Sequence, residues 1–201
     1  MFPGSRLLVR QTFELAEFFG FETRNKYRIS SEDGRDVGFA AEQGKGILGH
    51  LARYFLGHWR SFEILFFSAD RQLVVSAFHP FRFYFHRLEV KDAQGNFLGL
   101  VERRFSLLSK CFDVRAPDGR TLMQVRSPIW RFWTFEFKDT TQNTLAFVRK
   151  KWTGLFAEGF TDKDTFLVDF VSPRIDEDAR RLVVVASLFI DLMYFEKKAR
   201  S

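Results

Sequence analysis

The sequence predicts a mainly β fold: an up-and-down meander that closes or nearly closes, with a hydrophobic helix near its C-terminus packed inside. Three observations carry this expectation. Runs that alternate apolar with polar residues recur between turn signals. The hairpins they form repeat about every two dozen residues. The apolar run near the C-terminus is hydrophobic on all sides, as in a helix that is either buried in protein or spans a membrane.

The turns come first. Asp33-Gly34, Asp70-Arg71-Gln72, Asp92-Ala93-Gln94-Gly95, Pro117-Asp118-Gly119 and Thr141-Gln142-Asn143 each separate alternating runs. Phe112-Asp113-Val114-Arg115 and Phe135-Glu136-Phe137-Lys138 are two such runs, with the period of a strand that buries one face. Phe62, Leu88, Phe112 and Phe135 open successive strands at spacings of 26, 24 and 23. Leu73, Leu98, Leu122 and Leu145 open the returning strands at spacings of 25, 24 and 23. No low-complexity linker interrupts the series, so residues 1–201 are expected to form one domain.

Two stretches break the rhythm. In Gly46 to Trp59, the residues Ile47, Leu51, Phe55 and Trp59 stand four apart among Lys45, His50, Arg53, His58 and Arg60, the pattern of a short basic amphipathic helix. The second stretch is a helix expected over about residues 177–197, with Asp176, Glu177 and Asp178 at its start and Lys197, Lys198 and Arg200 at its end, matching the helix dipole. The β-branched run Val183-Val184-Val185 favours a strand locally, but the length of the segment favours a helix. Its apolar part, Leu182 to Phe195, contains Asp191 and would cover about 21 Å, short of a hydrocarbon core of about 30 Å. Packing inside the barrel is therefore preferred to spanning a membrane.

Composition narrows the classes. The chain carries a formal charge of +6 and 27 phenylalanines, and its 46% apolar content supports a large core and excludes wholesale disorder. A single cysteine, Cys111, excludes an internal disulfide and paired-cysteine zinc sites and suits a reducing compartment. The opening residues lack an apolar run with a small-residue cleavage site, and Glu14 and Glu17 follow, so neither a secretory signal nor a transit peptide is expected.

Several blocks resemble a known family in their order along the chain. Gly20-Phe21-Glu22-Thr23-Arg24-Asn25-Lys26-Tyr27-Arg28-Ile29 and Phe39-Ala40-Ala41-Glu42 resemble the start of the phospholipid scramblase domain. Lys151-Trp152-Thr153-Gly154, Phe160-Thr161-Asp162-Lys163-Asp164-Thr165-Phe166 and Phe189-Ile190-Asp191-Leu192-Met193-Tyr194-Phe195-Glu196 resemble its later signatures. The resemblance runs from about Leu7 to Glu196. It implies the tubby-like fold shared with plant LURP-one-related proteins, a closed barrel of about a dozen strands around a central hydrophobic helix. It also implies binding of anionic phospholipid membranes and movement of phospholipid between leaflets.

The family's calcium segment would fall at Asp162 to Asp176, with Asp162, Asp164 and Asp176 as candidate ligands. Calcium takes about six to eight oxygens, and a loop of roughly twelve residues supplies them from alternating positions with glycine at the sixth. Counted from Asp162, Phe166 stands at position 5, Leu167 at 6, Phe170 at 9 and Pro173 at 12. The stretch reads more simply as a strand with Phe166, Val168 and Phe170 inward and Asp162, Asp164 and Asp169 in solvent.

In animal scramblases the two connections outside the repeat are cysteine-rich and are thought to carry palmitoyl chains. Here they hold no cysteine. Residues 46–59 and Phe78-His79-Pro80-Phe81-Arg82-Phe83-Tyr84-Phe85-His86-Arg87 interleave aromatic and basic side chains instead. One reading makes Ile47, Leu51, Phe55, Trp59, Phe78, Phe81 and Arg82 membrane contacts that attract anionic lipid. The other makes Phe81, Phe83 and Phe85 the inward face of a strand, with Ile47, Leu51 and Phe55 capping an open barrel end.

The basic residues Arg103, Arg104, Arg149, Lys150 and Lys151 form a candidate patch for phosphoinositide headgroups or nucleic acid, and Arg180-Arg181 form a further run. No sequence-reading DNA motif is present, so nucleic acid is the weaker partner. No nucleophile, base and oxyanion site can be assembled, His50, His58, His79 and His86 have no HExxH spacing, and Cys111 reads as a small buried residue. The expectation is a non-enzymatic, cytoplasmic protein peripheral to a membrane, binding anionic phospholipid, with calcium as the one conceivable cofactor. The rival is a soluble interaction barrel or DNA-associated barrel without lipid transport.

Overall fold

The structure, a computed structural model, describes residues 4–12, 23–43, 61–131, 133–151 and 165–194, with only the backbone described for 23, 24 and 151. Its strands are β1 (Arg6–Gln11), β2 (Thr23–Ser31), β3 (Asp36–Gln43), β4 (Phe62–Ser68), β5 (Leu73–His79) and β6 (Arg87–Asp92). They continue with β7 (Phe97–Arg104), β8 (Ser109–Arg115), β9 (Thr121–Pro128), β10 (Thr134–Lys138), β11 (Thr144–Lys151) and β12 (Thr165–Phe170), followed by the helix α1 (Glu177–Tyr194). Each strand pairs antiparallel with its sequence neighbours, and β1 pairs with β12, so the twelve strands close into a barrel. Closure leaves no open edge. The expected closed barrel around a central helix is what this chain forms.

Alternation sorts the wall. Phe62, Leu88, Phe112 and Phe135 all point inward and are buried. Of the leucines that open the returning strands, Leu98 and Leu122 take the other parity and are half-buried, and Leu145 takes it but is covered; Leu73 has the inward parity of Val75 but is exposed at the start of its strand. Cys111 is half-buried rather than buried, because it alternates with the inward Phe112. At Gly99, where φ is +141°, a Cβ would lie 2.2 Å from the Arg115 carbonyl oxygen and 3.3 Å from Leu182. Only glycine accepts both that backbone angle and the close approach of the Arg115 carbonyl from the neighbouring strand.

The helix fills the barrel. Leu182 through Met193 is buried without a break, which explains why the β-branched valines do not make a strand: the surrounding wall covers every face of the helix. Asp191 is also buried, and the Tyr27 hydroxyl donates to its Oδ2 at 2.8 Å. Among the described residues no helix is long and apolar enough to cross a membrane. Asp176 caps the helix, its Oδ1 accepting from the Ala179 amide at 2.7 Å. Arg181 pairs with Glu177 and Asp178, and Arg180 lies over the Phe170 ring and donates to the Gly4 carbonyl.

Strand alternation also assigns the described connections to two ends. The turns β2–β3, β4–β5, β6–β7, β8–β9 and β10–β11 gather at one end, here the turn end, where α1 also begins. The connections β5–β6, β7–β8 and β9–β10 gather at the other, the mouth, which Tyr194 of α1 faces.

Candidate functional site

Three mouth connections expose large apolar side chains. In β5–β6 these are Phe81, Phe83, Tyr84 and Phe85, and Tyr84 is 79% exposed. In β7–β8 they are Phe105, Leu107 and Leu108, and in β9–β10 Ile129 and Trp130, the last 67% exposed. The loops are linked to one another: the Ile129 amide donates to the Leu108 carbonyl at 3.1 Å, and the Arg103 amide to the His86 carbonyl at 2.8 Å. Phe81 and Phe83 pack edge to face with ring centres 5.0 Å apart. Contiguous exposed apolar surface of this kind marks an interaction site.

The strand reading of Phe81, Phe83 and Phe85 is therefore wrong: all three are exposed. β5 stops at His79, Pro80 brings no N–H to a ladder, and Phe85 sits at φ +53°, so the alternating letters never become an extended strand. His79 and His86 close the neck of this loop, with His79 Nε2 3.1 Å from His86 Nδ1 and the His79 ring stacked on Phe62 at 4.6 Å.

Inside the mouth the inward parity ends in cations. Arg103 follows Val101, Lys110 precedes Phe112 and Lys150 follows Val148, each two positions from a buried inward residue. The Arg103 guanidinium lies 5.4 Å from the Tyr194 ring centre, and Lys110 Nζ lies 5.1 Å from the same ring and 5.3 Å from Phe135. Lys150 Nζ lies 5.6 Å from Phe166 and 5.8 Å from Trp133. These are cation–π contacts. Burial pushes the Tyr194 phenol above its ordinary pKa, and the neighbouring Arg103 partly opposes that.

The sequence-level basic patch consequently divides. Arg104 points outward to Asp113 at 3.6 Å, Arg115 beside it pairs with Glu102 at 3.1 Å, and Arg149 pairs outward with Asp169. Arg103 and Lys150 point inward; the side chain of Lys151 is outside the described residues. Asp169, expected in solvent, is buried beneath Arg149 and Arg6, the latter at 2.6 Å.

Of the calcium candidates, Asp176 is engaged as the helix cap, and Asp162 and Asp164 lie outside the described residues. No three His, Cys, Asp or Glu side chains gather for a metal among the described residues. Ile47, Leu51, Phe55 and Trp59 also lie outside the described residues. Phe78 is exposed on the outer face of β5, and Arg82 is half-buried within the exposed loop. Sequence reasoning missed Lys110, Leu107, Leu108, Trp130 and Tyr194. The available signal was that Phe105 to Leu108 and Ile129-Trp130 interrupt alternation where hairpin turn residues are lacking.

The family model described as Scramblase matches residues 3–197. The chain belongs to the Scramblase family. Its relatives include a phospholipid scramblase family protein of Schizosaccharomyces pombe, 26% identical over 83% of this chain and 46% of that protein. Phospholipid scramblase 1 of Homo sapiens is 26% identical over 95% of this chain and 63% of its own length. The chain thus spans roughly half to two-thirds of these two relatives. A solved structure of an Arabidopsis thaliana protein is similar over 93% of this chain and 89% of its own, at 13% identity and a TM-score of 0.48.

Proposed function

We propose that this Scramblase-family chain binds anionic phospholipid membranes through the mouth of its barrel. One observation carries the reading: three neighbouring loops at one end expose Phe81, Phe83, Tyr84, Phe85, Leu107, Leu108 and Trp130 beside basic residues such as Arg82 and Arg131. Aromatic and aliphatic side chains enter the headgroup region, and cations are drawn to its negative potential. The similarity to proteins known as phospholipid scramblases supports the same partner. Binding is proposed ahead of movement between leaflets, because α1 fills the barrel interior and, among the described residues, leaves no polar path for a headgroup.

The test is co-sedimentation with vesicles of phosphatidylcholine containing phosphatidylserine, with and without calcium. Wild type is expected in the pellet, and Phe81→Ser/Phe83→Ser is expected to bind at least about tenfold more weakly, since each fully buried ring contributes about 1.5–3 kcal/mol. Equal binding by the two proteins overturns the reading.

A further inference from the structure

The structure assigns a binding site for the phosphate of an anionic phospholipid headgroup to the inward-facing cations of the mouth, Arg103 and Lys110, with Lys150 on the same rim. This rests on the membrane-binding reading and makes it specific: the exposed loops hold the bilayer, and the mouth holds one headgroup.

The argument begins with a contrast in partners. Positive side chains on the outer wall are matched with acids, as Arg104 with Asp113, Arg115 with Glu102 and Arg149 with Asp169. Arg103 is matched with no carboxylate among the described residues; it faces the ring of Tyr194, which Lys110 shares. The Tyr194 ring thus gathers a guanidinium and an ammonium at one end of the barrel. An anion entering the mouth meets both. A guanidinium and an ammonium together supply the fork and the point charge that suit phosphate oxygens.

Position selects the source of the phosphate. The two cations sit on β7 and β8, and the connection between these strands carries Phe105, Leu107 and Leu108. A bilayer contacting those side chains brings its headgroups to the level of Arg103 and Lys110. Charge complementarity and the apolar collar thus point to a lipid-borne phosphate rather than a soluble one.

The experiment compares wild type, Arg103→Gln/Lys110→Gln, the charge-keeping Arg103→Lys/Lys110→Arg and the turn-end control Arg35→Gln/Arg120→Gln on phosphatidylcholine vesicles with and without phosphatidylserine. The neutralised mouth pair is expected to lose at least about tenfold in affinity for the anionic vesicles. The charge-keeping pair should lose less than about threefold, and the turn-end pair, which changes net charge equally, should stay near wild type. Inorganic phosphate at millimolar concentration should give no saturable heat in calorimetry. Equal losses for mouth and turn-end pairs reduce the effect to net charge and overturn the site. So does wild-type binding by the neutralised mouth pair while Phe81→Ser/Phe83→Ser fails to bind, an outcome that leaves the membrane reading standing. Tight binding of free phosphate overturns the lipid assignment, and failure of wild type to bind anionic vesicles overturns both proposals. If the neutralised pair is thermally destabilised, the charge-keeping pair decides: normal folding with lost binding also overturns the site.

Discussion

The two ends of this barrel are made from the same strands and share almost nothing else. At the turn end, polar side chains serve the backbone. Asp92 accepts from the Gln94 and Asn96 amides at 2.9 and 2.8 Å, and Asp139 from the Thr141 and Asn143 amides at 2.8 and 2.9 Å. At the mouth, apolar side chains face solvent and cations turn inward. Turn chemistry that satisfies its own backbone leaves little to offer a partner, whereas exposed rings are what an interaction surface presents. The turn end is built for stability, and the mouth is the end proposed for contact.

The hardest test of that division is Gly99→Ala, near the turn end. The added methyl meets the Arg115 carbonyl at a backbone φ that disfavours any side chain, and a loss of about 2–4 kcal/mol in urea unfolding is expected. Vesicle affinity of the folded fraction should stay unchanged; a matching fall in affinity would show that the ends are coupled. A smaller effect is expected from Tyr27→Phe, which removes the hydroxyl that donates to buried Asp191 and should cost about 1–3 kcal/mol. A larger loss there than at Gly99 would place the main stability nearer the mouth and break the comparison.

The smallest effect sharpens it. Hydrogen bonds from the Asn96 side chain and from the Asn96 and Gln94 amides hold the Asp92 carboxyl below the usual carboxylate range. The Thr141 hydroxyl, with Asn143, does the same for Asp139. A carboxylate whose folded pKa is depressed stabilises fully above its unfolded value, about 4, and this stabilisation is lost as pH falls through the folded one. Asp92→Asn/Asp139→Asn should therefore unfold slightly more readily than wild type at neutral pH. The two proteins should converge as pH is lowered toward 2, followed by thermal melts across that range. Parallel curves throughout would mean that these carboxylates serve geometry alone.

Legibility in the sequence follows the same division. Every turn-end connection could be read from Asp, Gly and Asn, because such turns are decided within four or five residues. The inward parity of Phe112 and Phe135 was also local. The mouth was harder to read for two reasons. Phe81-Arg82-Phe83 carries the letter pattern of a strand, and only Pro80 and the end of β5 prevent one from forming. Arg103-Arg104 is a single basic run in sequence but two faces in space, so one residue pairs with an acid and the other meets Tyr194, 91 positions away. Lys110 gave no signal, because its role depends on where the barrel stops rather than on its neighbours.

The seam between β1 and β12 bears on how the chain reaches this state. Arg6 and Asp169, joined across it, are 163 residues apart, and the helix that fills the interior follows β12. The wall therefore cannot shut on its proper contents until nearly all of the described chain is available. Until then the inward faces of the earlier hairpins, lined by Ile64, Phe66, Val90 and Phe112, have no helix to lie against. Folding of this kind is slow and long-range, and its partly assembled forms expose a hollow apolar trough. A nascent chain that pauses before α1 emerges is a sticky object in need of shelter.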